Sequence, residues 1–305
     1  MITRRGWLLS AFTAAGGVAL GNGFAAALSR ILDLSGFEKQ LIDLEEASGG
    51  RLGVALLDTA SGIQAGHRAD ERFPMCSTFK LLAVAAVLAR ADQGKEKLDR
   101  VVRFTQKDIV TYSPATESRV GDAGMAIKEL CAAAMTLSDN TAANLLLTAI
   151  GGPTGVTAFA RTLGDGVTRL DRIEPDLNEA LPGDPRDTST PAAMLSDLRA
   201  LTLGDALSPS SKAQLIEWLI QNKTGDKRIR AGVPSGWKVG DKTGSGSRGT
   251  TNDLAIVWPP QHAPVLVSVY LTGATVDDTQ RNLTIAAVAK KIPDMVQRLK
   301  DRSEA

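Results

Sequence analysis

The sequence predicts an α+β chain in two parts: a five-stranded antiparallel sheet flanked by helices, built from both ends of the chain, beside an all-helical domain. Three observations carry this. Strand-like alternation appears early, at 51–58, and strands return only after Gly236. Apolar residues between those stretches recur at helical spacing. Within that middle, 78–90 is apolar nearly all round (Phe79, Leu81, Leu82, Val84, Val87, Leu88), as suits a helix enclosed by other helices.

Each element has its own local signal. An amphipathic helix is expected over 35–47 (Phe37, Leu41, Ile42, Leu44), then a buried strand at 51–58 (Leu52, Val54, Leu56). Gly62 opens its hairpin partner, which ends near His67. After the enclosed helix, further helices are expected at 127–137, 141–150, 154–163, 191–202 and 210–223. Gly151-Gly152-Pro153 stops one of them, and Thr190-Pro191 starts another with a cap and a first-turn proline. Strands follow at 237–242, 253–258 and 265–271, and one long amphipathic helix at 282–299 closes the chain. The expected boundaries are a discontinuous sheet-and-helix domain, 28–75 with 226–305, and a helical domain, 76–225. A cleft between them is a natural binding place.

Composition narrows the function. The 305 residues are 43% hydrophobic, with 35 basic against 34 acidic side chains. A net charge of +1 gives no electrostatic reason to expect nucleic acid as a partner. His67, His262, Cys76 and Cys131 are the whole His and Cys inventory, and they do not have zinc-ligand spacing. No metal or organic cofactor is implied. A Ser-His-Asp triad is poorly supported too, because His67 falls in an expected strand and His262 in a Pro-rich turn. A serine nucleophile here needs Lys or Glu as its base.

The N-terminus reads as an export signal over 1–27. Thr3-Arg4-Arg5-Gly6-Trp7-Leu8-Leu9 resembles the twin-arginine pattern, an apolar Ala/Gly-rich stretch follows, and Ala25-Ala26-Ala27 offers small residues for cleavage. Whether the twin-arginine or the general secretory route reads it stays open. Gly16, Gly17, Gly21 and Gly23 interrupt the apolar stretch and argue against a permanent membrane span. The expected location is the periplasm or outside the cell.

Four short motifs stand in a fixed order: Ser77-Thr78-Phe79-Lys80, Ser138-Asp139-Asn140, Glu174-Pro175-Asp176-Leu177-Asn178 and Lys242-Thr243-Gly244-Ser245. Ser77 and Lys80 share one helical face at the start of the apolar helix, where N–H groups and positive potential favour an oxyanion. Apolar surroundings favour the neutral form of Lys80 and suit it to accept the Ser77 proton. A second copy, Ser235-Gly236-Trp237-Lys238, sits in a turn entering a strand and lacks a buried helix.

Ser138-Asp139-Asn140 lies between two apolar helices. Taken alone it reads as a helix cap; beside the other motifs, Ser138 relays a proton, Asn140 binds an amide carbonyl and Asp139 braces the loop. Lys-Thr-Gly also occurs twice. Lys223-Thr224-Gly225 reads as a helix end with Gly225 as its C-cap. Lys242-Thr243-Gly244 ends a strand, with hydroxyls of Thr243 and Ser245 and the charge of Lys242 suited to a carboxylate. The N–H groups of Ser77 and Ser245 are the expected oxyanion donors, each worth about 3–4 kcal/mol in a transition state.

Glu174 stands in a long polar segment, 169–187, of the kind that is usually functional in a compact domain. Asn178 is one helical turn away, so the two can hold one water between them. Arg172 and Asp187 can tie the loop's ends, a surface ion pair of little expected worth.

With these motifs in this order, the mature chain resembles the class A serine β-lactamases over essentially its whole length. The resemblance implies their two-domain fold, a loop closed by Arg172 and Asp187, and a cis bond before Pro175. It also implies a cleft entrance lined by Tyr112 and an Arg228 that helps to hold the substrate carboxylate, in a chain that has Thr251 where other members place that Arg. Cys76 lacks the second Cys beyond Lys-Thr-Gly that some carbapenem-hydrolysing members have. Pairing with Cys131 stays open beside free buried thiols.

The implied function is hydrolysis of the lactam ring of penicillins and cephalosporins through an acyl-serine, giving antibiotic resistance. The expected partners are β-lactam substrates and inhibitors, acting on a monomer. The family's dispute over the acylation base, Lys80 or Glu174, stays open at this stage. A cell-wall DD-peptidase shares three of the motifs but needs no Glu174, and a covalent lactam sensor normally needs a membrane span.

Overall fold

The computed structural model describes residues 36–303. The expected leader, 1–27, lies outside them. A first helix, α1, covers 36–48, and strands β1 (Arg51–Asp58) and β2 (Gln64–His67) form the expected hairpin. A short β3 (Phe73–Pro74) and a 3-10 turn at Cys76–Thr78 lead into α2 (Phe79–Asp92). Ten consecutive residues of α2, from Phe79 to Leu88, are buried. That is the enclosure its uninterrupted apolar surface requires.

The helical part continues with β4 (Val101–Phe104), β5 (Gly121–Ala126), α3 (Ile127–Thr136), α4 (Asn140–Ala149) and α5 (Pro153–Thr162). An irregular stretch with a 3-10 turn at Asp176–Asn178 follows, then β6 (Thr188–Ser189), α6 (Pro191–Thr202), α7 (Pro209–Ile220) and α8 (Ile229–Gly232). The chain returns to the sheet through β7 (Lys238–Gly246), β8 (Thr250–Trp258) and β9 (Val265–Thr272), and closes with α9 (Asp278–Ala289) and α10 (Ile292–Ser303). The capping chemistry behaves as expected: Thr190 Oγ1 accepts from Ala193 N at 3.1 Å, with Pro191 in the first turn of α6.

The main sheet has the order β2-β1-β9-β8-β7, antiparallel throughout. Its two sequence halves meet where β1 pairs β9 over eight residues, from Arg51↔Thr272 to Asp58↔Val265. Strand alternation then divides the side chains between two cores. Leu52, Val54 and Leu56 pack with Leu41, Ile285 and Val288 of α1 and α9. Ala55 and Leu57 point the other way, into the core that holds Phe79, Met194 and Tyr270. Gly53 shares that second face because a Cβ there would stand 2.4 Å from the Phe73 ring.

Several elements differ from expectation. The terminal helix is two helices, divided at Lys290–Lys291, because Pro293 has no N–H to donate and fits only a first turn. Strand β7 does not stop at Lys242: its pairing with β8 runs on to Gly246↔Thr250, so Lys-Thr-Gly lies inside an edge strand. The helical part also carries a small sheet, β4 against β5.

Candidate active site

The start of α2 sets the centre of the site. Cys76 enters it with φ +45°, and Ser77 and Lys80 then fall on one face. Lys80 Nζ lies 2.8 Å from Ser77 Oγ. The same ammonium reaches Asn140 Oδ1 at 2.6 Å, the Ser138 carbonyl at 2.8 Å and Glu174 Oε1 at 2.9 Å. Lys80 is fully buried and Glu174 is 1% exposed, so the contact is cut off from bulk solvent and its remaining hydrogen bonds come from nearby hydroxyl and carbonyl groups.

Ser138 sits at φ +59°, which aims its hydroxyl into the space between two lysines. Its Oγ is 3.0 Å from Lys242 Nζ and 3.5 Å from Lys80 Nζ. Asp139 braces the turn as expected: its carboxylate caps α4 by accepting from Ala142 N at 2.8 Å, and also accepts from Ala115 N and Thr116 N. Asn140 donates through Nδ2 to the Thr111 carbonyl at 2.8 Å, and its N–H bonds the Tyr112 carbonyl. Tyr112 is thereby fixed beside Asn140 with 57% of its surface exposed.

Glu174 Oε1 accepts from Ser77 Oγ at 3.2 Å, and Oε2 accepts from Asn178 Nδ2 at 2.5 Å. The loop that carries it is held at its ends and at Glu174 itself. Arg172 Nε meets Asp187 Oδ2 at 2.6 Å while Asp187 Oδ1 accepts from the N–H groups of Asp171 and Arg172. Asp187 is fully buried, so this is not the weak surface pair expected from sequence. The Glu174–Pro175 bond is cis, as the resemblance implied. Asn144, which sequence reasoning missed, brackets Glu174: Nδ2 donates to the Glu174 carbonyl and Oδ1 accepts from its N–H, both at 2.9 Å. Its signal was its place one turn after Asn140 on the same face of α4.

Strand β7 forms the opposite wall. Lys242 is fully buried, Thr243 Oγ1 lies 2.5 Å from Thr224 Oγ1, and a Cβ at Gly244 would meet the Met75 carbonyl at 2.8 Å. Thr224 gives the second Lys-Thr-Gly copy a part to play. Helix α7 ends earlier, at Ile220, so Gly225 is not its C-cap. Gly225 is glycine because a Cβ would collide with the Asp241 carboxylate.

Arg228 is 9% exposed and reaches under the strand, donating to Ser245 Oγ at 2.7 Å and to the Gly244 and Asn252 carbonyls. The copy at Ser235–Lys238 stays at the surface, with Lys238 over the Trp258 ring. Cys76 and Cys131 are free and buried, and burial pushes both thiols far above their ordinary range.

Residues 36–296 match the model of the β-lactamase enzyme family. The chain is 52% identical over 256 residues to β-lactamase OXY-2 of Klebsiella oxytoca, covering 84% of this chain and 88% of that relative. To β-lactamase Toho-1 of Escherichia coli it is 53% identical over 253 residues, covering 83% and 87%. A solved class A β-lactamase of the last common ancestor of Gram-negative bacteria (GNCA4) superposes with a TM-score of 0.84 at 63% identity, covering 85% of this chain and 99% of that one. The chain belongs to the class A serine β-lactamases.

In this β-lactamase the electrostatics of the site follow from burial. Desolvation pulls the Lys80 ammonium below its usual range, against the opposing pull of Glu174. Lys242 is lowered to about 7, first by burial and then by the neighbouring Lys80 charge. The β-lactamase thus holds a hydroxyl, Ser138, between two cations that give up protons more readily than solvated lysines do. No single helix among the described residues is long and apolar enough to cross a membrane.

Proposed function

We propose that Ser77 is the nucleophile through which this enzyme hydrolyses the lactam ring of penicillins and cephalosporins, the reaction that confers resistance. The observation that carries the reading is one buried carboxylate, Glu174, in contact with Ser77, Lys80 and Asn178 together.

Ser77 Oγ attacks the lactam carbonyl and loses its proton to Lys80 or Glu174, both of which touch it. The backbone N–H groups of Ser77 and Ser245 hold the oxyanion. The C–N bond breaks as Ser138 gives its proton to the leaving nitrogen and regains one from the lysine side. Glu174 and Asn178 then hold a water, Glu174 takes its proton, and the hydroxide adds to the acyl carbon. The ester C–O bond breaks and Ser77 leaves with a proton. Asn140 retains one amide hydrogen for a substrate carbonyl, and Lys242, Thr243, Gly244, Ser245 and Arg228 form the seat for the substrate carboxylate. Tyr112 forms the entrance.

The described parts of the two expected domains, 36–75 with 226–303 and 76–225, act as the two walls of the cleft. The Arg4-Arg5 leader and the small residues at 25–27 support export of the mature enzyme to the periplasm or beyond.

Mass spectrometry with benzylpenicillin tests the assignment. The parent returns to free enzyme within the mixing time. Glu174→Ala accumulates a stable acyl adduct, and Ser77→Ala forms none. A lasting adduct on the parent, or parent-like turnover by Glu174→Ala, overturns it.

A further inference from the structure

A second buried carboxylate group lies outside the reaction centre, at the neck of the loop that carries Glu174. Asp165 stands in the turn after α5 and Asp197 on α6, 7% and 1% exposed. The pattern of α6 makes Asp197 conspicuous, since it shares the buried face of Met194, Leu198 and Leu201. Asp165 Oδ1 accepts from Val167 N at 2.6 Å and Thr168 N at 3.0 Å. Its Oδ2 and both oxygens of Asp197 receive no hydrogen bond from any donor among the described residues. The two carboxyls are within hydrogen-bonding reach of each other.

The neighbouring charges do not pair with Asp197. From α5, Arg161 spends Nη1 on the Asp165 carbonyl. From the segment before β3, Arg72 binds Thr188 Oγ1 and the Val167 carbonyl. From β9, the buried Tyr270 exchanges its hydroxyl bond with Thr78. On α6 itself, Arg199 is exposed. Two anions facing each other in such a place are untenable, because a buried carboxylate without a donor or a cation bears its full desolvation cost. A single proton between them removes one charge and supplies the missing hydrogen bond.

We propose that Asp197 is a neutral acid that donates its proton to Asp165 Oδ2, and that this shared proton latches the neck of the Glu174 loop to α6. The latch acts on both strands of the neck. Asp165 organises Val167 and Thr168, Thr168 Oγ1 lies 2.6 Å from Ser189 Oγ, and Arg169 N bonds the Thr188 carbonyl. Losing the proton sets two like charges against each other under this joint.

Burial, and next the Asp165 charge, push Asp197 up to about 9. The folded protein therefore keeps a proton that the unfolded chain releases near the ordinary carboxylate range, and stability falls as pH rises through that interval and levels off above about 9. This one group raises the unfolding constant about tenfold per pH unit. Lys242, lowered to about 7, has the opposite sign above that pH, since the unfolded chain then binds the extra proton. The slope is therefore read between pH 5 and 7.

Asp197→Asn keeps a donor toward Asp165 and has no proton to release. We expect its midpoint of unfolding to exceed the parent's at pH 7 and its unfolding constant to vary tenfold less per pH unit between pH 5 and 7. Its infrared spectrum at pH 7 should also lack a protonated-carboxyl band that the parent shows. Asp197→Thr, which offers a hydroxyl donor, should repeat the flattening. An unchanged slope with an unchanged carboxyl band overturns the latch, as does failure of both variants to fold, which would mean that neither neutral donor replaces the carboxyl. Neither readout involves lactam turnover, so the assignment of Glu174 stands or falls separately.

Discussion

The segments Ser77–Lys80 and Ser235–Lys238 carry the same two residue types at the same spacing, and burial separates them. The first lies at the head of a helix with ten buried residues in a row, where Lys80 is fully buried and finds its partners in Ser77, Ser138, Asn140 and Glu174. The second lies in an exposed turn, and its lysine lays its charge over the Trp258 ring, 5.1 Å from the centroid. The chemistry of Ser-x-x-Lys therefore resides in the apolar helix behind the motif. Without it the lysine is solvated and the serine is an ordinary hydroxyl.

Replacing Lys80 by Ala breaks the comparison at its strongest point. Glu174 would be left as a buried carboxylate without its cation, a loss of about 3–5 kcal/mol of stability. Removing a proton carrier that touches the nucleophile should also lower the acylation rate by about 10²–10⁴-fold. Denaturant unfolding and the single-turnover rate with benzylpenicillin check the two effects. Parent-like values for both would show that the buried environment of Lys80 is incidental.

The same contrast explains what was legible in the sequence. Alternation gave β1, and continuous apolar character gave α2, because each pattern is local and reports burial directly. Pro293 was a local signal as well and should have divided the last helix. The pairing of β4 with β5 was harder to see, since Val101–Phe104 is short and half exposed and Gly121 and Gly124 weaken the partner strand. In the site, the residues that do chemistry were legible and those that hold them were not. Asn144 touches Glu174 across 30 residues of sequence, and Thr224 meets Thr243 across 19. Gly225 looked like a helix cap until Asp241 was seen against it. Such contacts exist only once the fold has formed.

Asn144→Ala sharpens the distinction between acting and holding. Asn144 touches only the backbone of Glu174, on both sides. Its loss should leave the carboxylate in place on average but free to stray by about an ångström, which is enough to slow a positioned reaction by about 100-fold. The step affected should be deacylation, so a burst of acylation should survive while steady-state turnover falls. Asn144→Asp would restore only the bond to the Glu174 N–H and should recover part of the rate. If acylation and deacylation fell together, Asn144 would be holding the whole cleft rather than Glu174 alone.

The smallest effect belongs to the exposed copy. Lys238→Ala removes a cation from the Trp258 face, worth about 0.5–1 kcal/mol at an exposed site. It leaves every bond around Ser77 intact, so the midpoint of unfolding should drop slightly while turnover of benzylpenicillin stays at the parent value. A clear loss of turnover would mean that the outer end of β7 transmits strain along the strand to Lys242, four residues further along. The pairing of β7 with β8 argues against that. It is continuous from Lys238↔Trp258 to Gly246↔Thr250, so a side chain lost at one end leaves the register at the other unchanged.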